Sequence, residues 1–284
     1  MNTQELKAKS TPFSYLNTLV LIVLVLIFTK SWNDTEMSFS SLLEGSSYMY
    51  EYINGDDSIE GSGFFPPNFS DIDVYFYSML ETVQMAFIAL ILSIILAVPL
   101  SYMSSRNILN ILIPGKTVFH IALKQSIYAC STFISNVFRS INEIVWALIF
   151  VSAVGLGPMA GILALGIHTG GVLAKLLSEG NEAIDPGPVD ALVMSGAGFI
   201  KVLVFAVIPQ TMPHFISMVL YRFESDVRSA SILGFVGAGG IGFYLFDKMR
   251  AFENTDVCAI IIIIIIITVY TLDKFSAIIR KRFI

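Results

Sequence analysis

The chain has 284 residues, of which 55% are hydrophobic and only 14% charged, and its mean hydropathy is +0.74. That composition excludes an ordinary soluble domain and points to an all-α polytopic membrane protein, with the lipid bilayer as its surroundings and no nucleic acid as a partner. The formal net charge of -5 is a poor guide, because the charges are segregated by loop.

A first apolar stretch, about 12–29, follows Lys7 and Lys9. It is close to the ~20 residues that cross a bilayer, and Lys30-Ser31-Trp32 offers no small-residue cleavage site, so an uncleaved anchor is expected. From Ser31 to Glu81 there are ten acidic residues and no Lys or Arg, which puts this segment outside and the amino terminus in the cytoplasm. Gly61-Ser62-Gly63 and Pro66-Pro67 predict turns and short extended pieces there. Two sequons, at Asn33 and Asn68, are read as chance. An anchor plus acidic outer loop, 1–81, is thus expected ahead of a transmembrane domain, 82–284.

The second span is expected over 82–103, tolerating Pro99, and Arg106, Lys116 and Lys124 mark an inside loop. The third, 126–154, goes out and the fourth, 159–177, returns. The fifth, 214–233, leaves through a glycine-rich turn. The sixth, 256–272, includes eight consecutive isoleucines and ends at Arg280-Lys281-Arg282 inside. Six spans place both termini in the cytoplasm, and Lys30, Lys248 and Arg250 are the exceptions to the charge bias. Cys130 and Cys258 lie in predicted helices and read as packing residues rather than a disulfide or metal pair.

Between the fourth and fifth spans lies 182–213, EAIDPGPVDALVMSGAGFIKVLVFAVIPQTMP. Pro188 suits the first position of a short helix that Asp185 or Gly187 can cap. Gly196-Ala197-Gly198 supplies a joint tolerant of left-handed backbone, and 199–208 reads as a second helix stopped before Pro209. An elbow of this kind has the form of a docking knob on a membrane surface.

Two nucleotide-binding patterns are set aside. Gly237-Ala238-Gly239-Gly240-Ile241-Gly242 fits G-x-G-x-x-G but ends a membrane span instead of opening a helix after a strand, so close backbone turning is its expected use. Gly115-Lys116-Thr117 ends like a P-loop, yet Asn110 stands where the first glycine belongs. Gly157 with Gly161, and Gly166 with Gly170, are small-xxx-small pairs that let helices approach closely, as a bundle or a dimer needs. His168 among them reads first as an interhelical hydrogen bonder, and Glu143 and Lys175 as snorkelling groups. The fifth span holds four charges. Arg222 and Asp226 are four apart, as are Glu224 and Arg228, and helical rotation sets the two pairs on nearly opposite faces. One pair could line a water-filled path while the other locks a neighbour, or both could be structural.

The elbow resembles the coupling loop of ABC importer permeases, in which Glu-Ala-Ala is followed at fixed spacing by Gly and then Ile-x-Leu-Pro. Here Asp190-Ala191-Leu192, Gly196 and Ala206-Val207-Ile208-Pro209 keep that spacing, with Asp190, Leu192 and Ala206 departing from the residue types. The words RSINEIVWALIF, VGLGPMAG, HTGGVLAKLLSE, EAIDPGPVDAL and YRFESDVRSASILGFVGAGGIG look like those of the phosphonate importer permease. The resemblance implies a type I importer fold of six transmembrane helices in the bacterial inner membrane, with a cytoplasmic coupling helix. It implies a homodimer, two cytoplasmic ATPase subunits and an extracytoplasmic phosphonate-binding protein, with no cofactor, metal or catalytic residue in this chain. Asp190, Ala191, Leu192, Gly196, Ala197, Ile208 and Pro209 would then couple to the ATPase. Arg228, with Arg222, Glu224, Asp226 and His168, would belong to the translocation pathway. Delivery by a binding protein suits the acidic outer loop, which would repel a free anion. The alternatives are a permease for phosphite, phosphate or another small solute such as methionine. An intramembrane enzyme using Glu143, His168 and Glu224 has no supporting ligand spacing or nucleophile motif.

Overall fold

The computed structural model describes residues 15–35, 38–55, 63–115 and 117–283. Among them every regular element is helical, and they fall into two compact units, one up to Gly63 and one from Phe64 onward.

In the first unit, α1 (Tyr15–Asp34) is long and apolar enough to span a membrane and buries none of its residues within the chain. The expected start of this span at residue 12 lies outside the described residues, and its end runs five residues beyond 29. α2 (Phe39–Asn54) was not anticipated in the acidic segment, whereas 63–71, with Pro66 and Pro67, is irregular as expected. Phe39, Leu42, Leu43, Met49, Tyr50 and Ile53 recur at helical spacing, and the Ser38 hydroxyl accepts from the Ser41 N–H at 3.5 Å as the amino-terminal cap. Lys7, Lys9, Glu36, Asp56, Asp57, Glu60, Gly61, Ser62 and Lys116 lie outside the described residues.

The second unit is organised around α3 (Ile72–Met103) and α7 (Pro158–Glu182), which lie against each other. Glycine makes that contact possible. A β-carbon on Gly161 would come within 2.7 Å of Met85, one on Gly166 within 2.6 Å of Leu92, and one on Gly170 within 3.3 Å of Leu96. Gly171 faces the other way, against Phe138 and the backbone of α5, so these small residues serve packing inside the chain. α3 begins ten residues before the expected 82 and crosses the boundary set at 81. Its outer turns bury Tyr75 and Met79 in the main core, with Val227, Ala230 and Leu233 of α10 and Ile241 of α11.

The inside loop is itself structured: α4 (Arg106–Leu112) follows α3, and α5 starts at Val118. The single third helix expected over 126–154 is wrong. The chain bends by 88° between α5 (Val118–Ser140) and α6 (Glu143–Val154), where the Asn142 side chain accepts from the Ile144 N–H at 2.9 Å and caps a new helix. α8 (Pro186–Met194) and α9 (Phe199–Val202) form the elbow. The second elbow helix does not stop before Pro209. A π-turn, Leu203–Val207, carries it into α10 (Ile208–Leu233), giving one continuous helix Phe199–Val236. Pro209 has no N–H for the Phe205 carbonyl, and the ladder shifts register just upstream, with the Ile208 N–H donating to Leu203.

After a short 3-10 turn (Gly234–Val236), α11 (Ile241–Arg250) was not anticipated, and α12 (Asn254–Ala259), a π-segment (Ile260–Ile266) and α13 (Ile267–Phe283) complete the chain. Four described helices are apolar and long enough to span, or five if α5 and α6 form one span. Residues 254–283 are helical but divided, and are not among them. Cys258 is buried as expected, whereas Cys130 is exposed on α5.

Candidate functional site

The elbow is built by local chemistry. Helix α8 starts at Pro186, two residues before the expected Pro188, because Asp185 is the cap: its carboxylate accepts from the Gly187 N–H at 2.9 Å. It ends in a two-bond glycine cap. Gly196 has φ +79°, its N–H donates to Val193 at 3.0 Å, and the Ala197 N–H donates to Leu192 at 3.1 Å. Leu192 and Ala197, half-buried, border a small core of Ile108, Val189, Val202, Ala206 and Val207. The elbow therefore carries its own apolar interior and is fastened to α4. Gln210 ties it to α10, accepting from the Asp185 N–H at 2.9 Å and donating to Ala206 at 2.8 Å.

On its outer face Asp190, Ala191, Gly196 and Pro209 are exposed and Ile208 is half-buried. Beside them stand apolar side chains with nothing over them, Met194 at 89%, Ile200 at 73% and Phe205 at 71% exposure. Composition alone did not single these three out. Their signal is a helical elbow whose polar residues are too few to cover it.

The two charge pairs of α10 form as the spacing predicts, in different surroundings. Arg222 lies 3.2 Å from the fully buried Asp226, and Thr169 of α7 joins them: its hydroxyl donates to Asp226 at 2.7 Å and accepts from Arg222 at 2.9 Å. Arg228 donates to Glu224 at 2.8 Å, is 43% exposed, and approaches Asp273 of α13 at 3.8 Å. His168 stands at the α5–α6 bend. Its Nδ1 is 2.8 Å from the Ile141 carbonyl and its Nε2 is 3.5 Å from Glu143, which accepts from Ser229 of α10 at 2.9 Å. Glu143 is therefore a partner in an interhelical network and does not snorkel. Trp146 helps there by donating to the Phe138 carbonyl at 3.2 Å. These bonds occupy backbone groups that a broken membrane helix would otherwise leave bare.

At the other end the glycine cluster is a backbone turn. A β-carbon on Gly242 would collide with the Ser231 carbonyl and one on Gly234 with the backbone of Phe243, so only glycine lets α11 fold back on α10. The Ile241 N–H donates to Thr82 at 2.9 Å. Lys248, an exception to the charge bias, sits among carboxylates: it contacts Glu253, with Asp71 at 3.7 Å and Asp256 at 3.9 Å. The hydrogen bond to Glu253 raises its pKa above the usual lysine value, against a smaller effect of burial. Asp256 also accepts from Tyr75 at 2.7 Å.

A bundle of apolar helices with ion pairs inside it and a self-supporting knob at one end defines a membrane transport protein. Residues 116–283 match the family described as binding-protein-dependent transport system inner membrane component, and the chain belongs to that family. It is similar to the phosphite transport system permease protein PtxC of Stutzerimonas stutzeri, 34% identical over 218 residues that cover 77% of this chain and 74% of that one. A chain of Escherichia coli K12, provisionally named a cryptic phosphonate transport system permease protein, PhnE2, is 52% identical over 123 residues, 43% of this chain and 100% of that one. Among solved structures, an inward-facing form of the MetNI methionine ABC transporter superposes with a TM-score of 0.61 at 20% identity, covering 76% of this chain and 99% of that chain, which establishes the shared fold. The chain is thus a polytopic inner-membrane permease component and no enzyme, of a family that works with an ATPase and a substrate-binding protein.

Proposed function

We propose that this chain is the permease subunit of an ATP-driven importer for phosphonates, with phosphite or phosphate as the neighbouring reading. The names of the relatives support a phosphorus oxyanion as cargo. In this reading six spans, the sixth formed by 254–283, set both termini in the cytoplasm. The anchor and acidic outer segment precede the permease domain. Two copies assemble as a homodimer beneath a phosphonate-binding protein and above two ATPase subunits. Each elbow seats in one ATPase through Asp190, Ala191, Leu192, Gly196, Ala197, Ile208 and Pro209, with Met194 at the centre of the contact. ATP-driven approach of the two elbows then rocks the spans and opens the central path to alternate sides.

The observation that carries this is the elbow: capped at both ends, cored by its own residues, apolar at its tip and continuous with the helix that bears the charges. The β-carbon of a residue at Gly196 would meet nothing within 4 Å, so the cost of Gly196→Val lies in the left-handed backbone alone, roughly 1–2 kcal/mol. That suffices to misplace the knob without unfolding the bundle. The expected outcome is a normally inserted complex whose uptake of a simple alkylphosphonate and of phosphite is lost. Normal ATP-dependent uptake by well-expressed Gly196→Val would remove the coupling role. The orientation has a separate check in a Cys130→Ser background. A cysteine at Ser47 should react with an impermeant thiol reagent from outside, and one at Ser195 only after permeabilisation.

A further inference from the structure

Between α4 and α5, at the end of the bundle that carries the elbow, lies an open cavity of about 450 Å³ lined by Arg106, Asn110, Ile121, Lys124, Gln125 and Tyr128. Its position is fixed by α7: the carboxylate of Glu182, the last residue of that helix, accepts from the Arg106 N–H at 3.0 Å, and the Asn107 side chain donates to the Glu182 carbonyl at 3.1 Å. Two cations face it, and the Glu182 carboxylate beside them bonds the Arg106 backbone and not its guanidinium. Among the described residues no ion pair includes Arg106 or Lys124, and the Lys124 ammonium donates to the neutral Asn110 side chain at 3.0 Å. Arg222 and Arg228 of α10, by contrast, both have carboxylates. The Arg106 guanidinium lies 4.9 Å above the Tyr128 ring, a contact that orients it while leaving its N–H edge free.

We propose that this cavity holds the phosphate group of an anionic membrane lipid from the cytoplasmic leaflet. A phosphodiester supplies the charge and acceptor oxygens that a guanidinium, an ammonium and the Gln125 amide are placed to meet. A free phosphorus oxyanion has the same chemistry. The surroundings decide for the lipid: beyond the cavity, away from its start at Val118, α5 leaves Phe133 68% and Val137 36% exposed, apolar surface against which acyl chains can lie. The leaflet rests on the orientation proposed above, whereas the site itself does not. Bound there, a lipid joins α4 to α5 beside Glu182, where α7 leads into the elbow.

The test is native mass spectrometry of the purified full-length permease, in its complex, with phosphatidylglycerol or phosphatidylethanolamine added. Two cations near a headgroup set the expected effect: Arg106→Gln with Lys124→Gln should lower phosphatidylglycerol retention on the order of tenfold or more and leave phosphatidylethanolamine unchanged. Lys124→Arg should retain phosphatidylglycerol, which separates loss of charge from misfolding. Equal phosphatidylglycerol retention by the double variant would overturn the proposal. So would binding of inorganic phosphate to the delipidated complex with the same dependence on both cations and equal affinity, which would assign the cavity to a free oxyanion. None of these readings uses transport, so the proposal can fail while the import function stands.

Discussion

The two ion pairs of α10 share a helix, a spacing and a charge type, and differ in what faces them. Arg222 and Asp226 turn inward onto α7, where Thr169 bonds to both and Asp226 is fully buried. Arg228 and Glu224 turn the other way, and Arg228 keeps 43% of its side chain exposed between Glu224 and Asp273. Two residues of offset rotate a helix by about 200°, so neighbouring pairs in sequence belong to different environments. The burden a charge places on a membrane helix is set by the face it occupies as much as by its depth. The inward pair is a lock between helices, and the outward pair is the one we propose for guiding an anion.

Breaking the inward pair should do the most damage. Arg222→Gln strands a buried carboxylate whose Oδ2 already has no hydrogen-bond partner among the described residues. Leaving one member of a buried pair uncompensated costs about 3–5 kcal/mol. The expected result is loss of monodisperse, membrane-inserted complex, measured by yield and thermal unfolding in detergent. Arg228→Gln should behave differently: a half-exposed pair contributes ~1 kcal/mol or less, so assembly and basal ATPase activity persist while phosphonate uptake is abolished. Equal instability of both variants would erase the distinction between the faces. The smallest expected change comes from adding Glu224→Gln to Arg228→Gln, which should leave uptake as low as in the single variant. Restored transport would show that the outward arginine serves its carboxylate alone and guides no anion.

What the sequence announced depended on whether the signal was local. The helix pairs, the elbow and its joint were legible because Asp185, the prolines and Gly196 act within a few residues of themselves. The carboxyl end of α3 was legible because the mostly apolar stretch gives way after Met103 to Ser104, Ser105 and Arg106. The bend at residue 141 was hidden, since apolar residues on both sides read as one span and the cap is a single asparagine. The join through Pro209 was misread because proline normally ends a helix, whereas here a π-turn absorbs the lost hydrogen bond. For the site, the charge pairs were visible from spacing, but their partners Thr169 and Asp273 lie 53 and 45 positions from Arg222 and Arg228, and only packing brings them in. The exposed Met194, Ile200 and Phe205 were equally silent, because a sequence does not say which apolar residues will be left uncovered.

The helix that continues from Phe199 to Val236 also has an uneven stiffness. Its first part contains the π-turn, Pro209 and Pro213, each of which removes or shifts a rung of the backbone ladder. Beyond Pro213 no such interruption occurs until the terminal 3-10 turn, a length of about 30 Å at 1.5 Å per residue. The result is a lever with its pivot beside the elbow. A tilt of ~10° at the proline segment would sweep the far end through roughly 5 Å. The outward arginine lies three quarters of the way along that arm, where the same tilt would amount to about 4 Å.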